Sequence, residues 1–190
     1  MKKQKQGENA DAAGGEDDDE PWERPNALSV PEIRWGDLTL SKRILGRGRN
    51  GPVVEGYWRG VPVAIKHFDL DHGGGPRFQR EIEAYAGLRD LQGKAVARLL
   101  FVSRSWCGAF RLLGLELGAQ VTGDEANLRK ELRRVQRQLR EAGWSQDVEE
   151  NRLDNYVWQK ADGRLVAIDL ELMEPLMRTT TVFPTCSSSP

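Results

Sequence analysis

Cysteine and histidine are scarce in this chain: Cys107 and Cys186 are the two cysteines, His67 and His72 the two histidines. Cysteines so placed build neither a disulfide framework nor a zinc-ligand spacing, which suits a reducing compartment. The two histidines read as solvated strand or loop residues rather than as a metal site. Long apolar runs are missing too. None approaches the ~18 residues that a membrane span requires, so no membrane association is expected. The opening "MKKQKQGENADAAGGEDDDEPWERP" is basic and then acidic, without the apolar stretch of a secretory signal. These absences together imply a cytoplasmic or nuclear protein. A formal net charge of -1 gives no global attraction to nucleic acid or to anionic membrane.

What is present is enough chain, 190 residues, for one domain that is at most bilobed. Residues 1–30 are poor in aliphatics and rich in Gly, Asp and Glu, and are expected to form a disordered acidic tail. From residue 31 to 178 the composition is globular. The end, 179–190, is turn-rich and expected to be flexible.

Within the globular part, "DLTLSKRIL", "VVEGYWR" and "VAIKHF" alternate as strands separated by turn signals, an antiparallel meander. "DLDHGGGP" breaks the pattern. In "RFQREIEAYAGLRDL", Phe78, Ile82, Tyr85 and Leu88 recur at helical spacing. "AVARLLFVS" and "FRLLGLELG" predict two more strands. A second helix follows in "DEANLRKELRRVQRQLREAGW", with Leu128, Leu132, Val135 and Leu139 on one stripe, acidic residues at its start and Gly143 near its stop. Its arginines, Arg129 to Arg140, suit a solvated face better than a nucleic-acid patch. The last structured piece, "NYVWQKADGRLVAID", reads as a hairpin about Asp162–Gly163.

Three features carry chemistry. Gly46, Gly48 and Gly51 form G-x-G-x-x-G, followed by the strand-forming Val53, Val54, Tyr57 and Trp58. The dinucleotide version of this motif must open a helix; a strand–loop–strand version lays bare backbone over phosphates, or is simply a flexible hairpin tip. Lys66 shares a strand face with Ala64, opposite to Val63 and Ile65. A lysine facing an interior needs a carboxylate, and Glu81, bordering the buried helical stripe, is placed better for this than Glu83. Otherwise Lys66 is an edge-strand lysine. Finally, an antiparallel hairpin brings Asn155 and Asp169 to one open edge, an oxygen pair suited to Mg²⁺ or an ordinary pair of turn residues.

Taken together, these segments resemble protein kinases, most closely the tyrosine-kinase-like group. The likeness runs over residues 31 to 175 and includes the Gly-rich loop, the V-A-I-K strand Val63 to Lys66, and the helix "REIEAYAGL". It implies an α+β, protein-kinase-like fold: a five-stranded antiparallel N-lobe with one helix (31–118) and a reduced helical C-lobe (119–178). It further implies that Gly46, Gly48 and Gly51 cover the phosphates of ATP while Val53 and Ala64 sandwich adenine. Lys66 would hold the α/β-phosphates with Glu81 behind it. Leu115 would be the gatekeeper, with Glu116 to Gly118 offering backbone to adenine. Asn155 and Asp169 would bind Mg²⁺. The expected partners are ATP and a protein substrate or docking partner, not nucleic acid.

The sequence departs from the family in two places. H-R-D-x-x-x-x-N, counted back from Asn155, reads Val148, Glu149, Glu150, which leaves Glu150 as the expected base. "DLE" replaces D-F-G, and no A-P-E follows. The alternative is therefore a catalytically impaired pseudokinase or an interaction module that keeps the nucleotide site.

Overall fold

The computed structural model describes residues 28–49, 51–105, 107–146 and 153–176. Its main layer is a six-stranded sheet. The strands are β1 (Glu32–Ile33), β2 (Leu38–Gly48), β3 (Gly51–Trp58), β4 (Val61–Asp69), β5 (Leu99–Arg104) and β6 (Phe110–Glu116), and their spatial order is β1-β5-β6-β4-β3-β2. The five longer strands pair antiparallel, but β1 adds parallel to β5 through Glu32 opposite Val102 and Ile33 opposite Ser103. The expected five-stranded antiparallel sheet is thus a mixed sheet of six. The extra strand has two residues, too few for an alternating pattern to register. It is held by the Val102 N–H donating to Pro31 O and by Ser103 Oγ donating to Ile33 O. Just before it, Leu28 is buried in the main core.

Alternation assigns the two faces of the sheet. Val63, Ile65, Phe101 and Leu112 point to one side, under Trp35, Trp58 and Phe110. Phe68, Leu99, Val102, Leu113 and Leu115 point to the other, against helix α1 (Gly74–Gly87). Two strand glycines let the first face close. A Cβ on Gly114 would come to 2.1 Å from the Phe101 ring, and one on Gly56 to 2.5 Å from Ile65 Cδ1. Helix α1 buries Phe78, Ile82 and Tyr85, the stripe expected from spacing, together with Glu81. It begins at Gly74, where a Cβ would strike the Asp69 backbone at 2.4 Å, so helix and strand meet at a glycine for steric reasons.

The second half is smaller. Helix α2 (Glu125–Glu141) is capped by Asp124, whose side chain accepts from Asn127 N, and it buries Val135 and Leu139. Two short antiparallel pairs complete it: β7 (Trp144–Gln146) with β10 (Met173–Pro175), and β8 (Tyr156–Trp158) with β9 (Leu165–Ala167). The β7–β10 pair carries no signal in the sequence, because three-residue strands are too short for one. Arg134 is not a surface arginine of α2. Its guanidinium donates to Lys94 O and Leu165 O and also reaches Glu131 and Gln138, so it joins α2 to both halves. Arg129 and Arg137 pair with Glu125 and Glu141 on their own helix.

Gly114→Ala should destabilise the chain by roughly 1–3 kcal/mol, the usual range for overpacking, read as a lower urea midpoint. Phe101→Leu in the same background should recover part of that loss.

Candidate functional site

The site lies where β4, α1 and the end of β9 meet. Register places Val53, Lys66 and Leu113 side by side on one face, with Ala64 beside Glu55 and Leu115 one step along. Lys66 is therefore directed at α1. There its Nζ donates to Glu81 Oε2 at 2.5 Å and to Asp169 Oδ1 at 2.9 Å. Glu81 has no exposed side-chain surface, whereas about a third of the Asp169 side chain is exposed. Glu83 is turned outward and accepts from Gln79 Nε2. The side-chain period of the helix makes that choice: Glu81 flanks Ile82 and Tyr85 on the buried stripe, and Glu83 does not.

The charges around Lys66 are unequal in number. Burial alone would lower its pKa, but Glu81 and Asp169 outweigh burial and hold it above the ordinary lysine range. Burial pushes Glu81 up to about 7; Lys66 opposes this, while Asp169 and Glu171 add to it. Both partners of one ion pair thus hold protons more tightly, Glu81 chiefly because of its burial and Lys66 because two carboxylates outweigh its own. Glu171 is buried as well. Its carboxylate lies with those of Glu81 and Asp169 in a cluster whose ligand oxygens are within 4.8 Å of one another. Three carboxylates at this spacing can hold a metal ion. The sequence reading took Glu171 only as a departure from D-F-G. No sequence signal marked it, because Glu171 lies outside any strand or helix whose period could assign it a face.

The other expected residues fall around this centre. Gly46, Gly48 and Gly51 lie at the tip of the β2–β3 hairpin, with Gly48 opposite Gly51. A strand follows them, not a helix. Gly51 has φ +134, a conformation that side chains rarely adopt, and His67 Nδ1 bonds the neighbouring Pro52 carbonyl at 3.0 Å. Asn155 and Asp169 both stand at the open end of the β8–β9 hairpin, where the Ile168 N–H donates to Asn155 O. Gly163, with φ +66, turns the closed end.

The segment after β6 is pressed against that hairpin. The Glu116 N–H donates to Arg98 O, Ala119 exchanges two backbone bonds with Trp158, and a Cβ on Gly118 would sit 2.4 Å from Val157 Cγ2. Gln159 Nε2 donates to the Glu116 carboxylate. Leu115 is buried beside Ala64. Glu150, the expected base, lies outside the described residues. Among the described residues, no helix is long and apolar enough to cross a membrane. Compared with known proteins, the chain matches no family model and no curated sequence.

Removing the cation leaves Glu81 buried and uncompensated. Lys66→Met should cost about 3–5 kcal/mol of unfolding free energy, and Glu81→Gln in the same background should restore most of it. A pH effect follows as well. The folded-state pKa of Glu81, about 7, exceeds its ordinary 4.5. The native state therefore binds the extra proton, and this contribution is full below about pH 4.5 and lost as pH rises to 7. The stability difference between wild type and Glu81→Gln, followed by chemical denaturation, should fall over that window by on the order of 3 kcal/mol.

Proposed function

We propose that the chain is a protein-kinase-like, ATP-binding domain that transfers the γ-phosphoryl group of ATP to a protein hydroxyl. The observation that carries this reading is the placement of Lys66. It stands in register with Val53, on the strand that follows the glycines, backed by a buried carboxylate on a helix and facing a second, partly exposed carboxylate on a hairpin end. Phosphoryl transfer asks a protein chiefly for positioning and charge neutralisation. Gly46, Gly48 and Gly51 put side-chain-free backbone over the phosphates. Val53, Ala64 and Leu115 supply the apolar walls for adenine, and the backbone of Glu116 to Gly118 its polar edge.

Glu81 holds Lys66 by one oxygen, so the ammonium is oriented before nucleotide arrives. Asn155 and Asp169 would hold Mg²⁺ on the phosphates, and the oxygen-only donor set fits that hard cation. Bound there, the ion would neutralise charge on the phosphate oxygens. Glu150 would accept the proton of the attacking hydroxyl.

The second reading is a nucleotide-binding pseudokinase or interaction module. One observation favours it: Val148 and Glu149 stand where the family has His and Arg, and Glu150 where it has Asp. A misplacement of order 1 Å in a catalytic group costs on the order of 10²-fold in rate, and the longer Glu side chain is such a change.

Mg-ATP should raise the melting temperature of the wild type by several degrees and leave Lys66→Ala and Asp169→Asn unmoved. Phosphate transfer to a generic protein substrate, absent in Asp169→Asn, supports the enzyme. Binding without transfer supports the second reading, and absence of any shift in the wild type overturns both.

A further inference from the structure

At the glycine hairpin the sheet thins to two strands. The register of β3 with β4 runs from Val53, opposite Lys66, to Trp58, opposite Val61. Yet β3 begins at Gly51, and β4 continues to Asp69. Gly51 and Pro52 therefore lie beyond that register and pair with β2, through Gly48 and Arg47. A two-stranded ribbon is marginal by itself in water, so a tie to the third strand decides where it stands.

His67 supplies such a tie. Its Nδ1 lies 3.0 Å from Pro52 O. A carbonyl only accepts, so the ring nitrogen carries the proton and donates. Pro52 has no N–H of its own to offer β4. The ring is braced edge-on by Phe110 of β6, with centroids 6.1 Å apart and planes at 80°. Gly51 approaches the same residue: a Cβ placed on it would stand 3.4 Å from His67 O and 3.5 Å from His67 Cβ. Burial holds the imidazole below its ordinary pKa, so the ring is neutral at pH 7 and the bond selects its Nδ1–H tautomer.

Alternation gives this contact its use. Consecutive strand residues point to opposite faces. Lys66 turns toward α1 and Glu81, and His67 turns to the other side, beside Phe110. Two neighbours on one strand thus hold the ammonium and the hairpin. We infer that His67 is a positioning residue, which through Pro52 fixes the glycine hairpin relative to Lys66. The tie is independent of the nucleotide reading, but its purpose rests on that reading. A hairpin already pinned presents the backbone of Gly46, Gly48 and Gly51 to phosphates without first being immobilised. His67 therefore acts on affinity for the phosphates and not on affinity for adenine.

Leu and Asn are nearly equal in shape, and the Asn amide can donate from the place of Nδ1. His67→Leu removes the bond and His67→Asn keeps it. Limited trypsin digestion of the nucleotide-free full chain, read by mass spectrometry, reports the hairpin through the exposed Arg47 and Arg49. Cleavage there should be several-fold faster in His67→Leu, the worth of one hydrogen bond, and at the wild-type rate in His67→Asn. Cleavage after Arg133 on α2 should be unchanged in both. In calorimetric titrations His67→Leu should bind Mg-ATP several-fold more weakly and adenosine as the wild type does. The tie is overturned if hairpin cleavage is unchanged in His67→Leu, rises equally in His67→Asn, or rises equally after Arg133. An equal loss of adenosine binding overturns the role toward phosphates. Wild type that binds no Mg-ATP, with faster hairpin cleavage in His67→Leu, would instead remove the kinase-like reading and leave the tie standing.

Discussion

A lysine ammonium withdrawn from water needs counter-charge, and Lys66 draws it from two directions. Glu81 comes from the helix beneath the sheet and Asp169 from a hairpin far along the chain. The rest of the architecture serves that meeting. Alternation in β4 aims the lysine inward, the helical stripe aims Glu81 back at it, and the pairing of β8 with β9 delivers Asp169. Neither Lys66 nor Glu81 is tolerable as a lone charge at this depth. The ion pair and the packing around it therefore stand or fall together.

Backbone contact supports the same junction. Ala167 bonds both Ala95 and Ala97, Ala119 bonds Trp158, and Arg134 spans Lys94 and Leu165 with one guanidinium. Gln92 adds a further tie, donating to Tyr85 O at the end of α1 and accepting from Leu99 N at the start of β5. Glycines mark the closest approaches: Gly118 against Val157 and Gly87 against the Trp144 ring. Rigid fixing of this kind lets a site hold its charges at set distances instead of letting them relax into solvent.

Much of this was legible in the sequence, and the reasons differ by element. The meander and both helices are long enough for their hydrophobic period to speak, so the face of Lys66 and the choice of Glu81 over Glu83 could be argued from spacing alone. The hairpin about Asp162–Gly163 was readable from its turn residues, and it put Asn155 beside Asp169. Strands β1, β7 and β10 were not readable, because two or three residues carry no period and their partners are remote. Arg134 was hidden for another reason. Its neighbours Arg129, Arg133 and Arg137 are chemically identical to it, and only the packed structure decides which one turns inward. Glu171 lies outside any periodic element, so no pattern assigns it a face.

Lys66 and Asp169 are 103 positions apart in the chain. Their contact closes a loop that includes both helices and strands β5 and β6, and such closure loses chain entropy before it gains any attraction. Lys66 and Glu81, only 15 positions apart, can meet within the sheet–helix half alone, so the approach of Asp169 is the charge contact that reports whether the distant hairpin is docked.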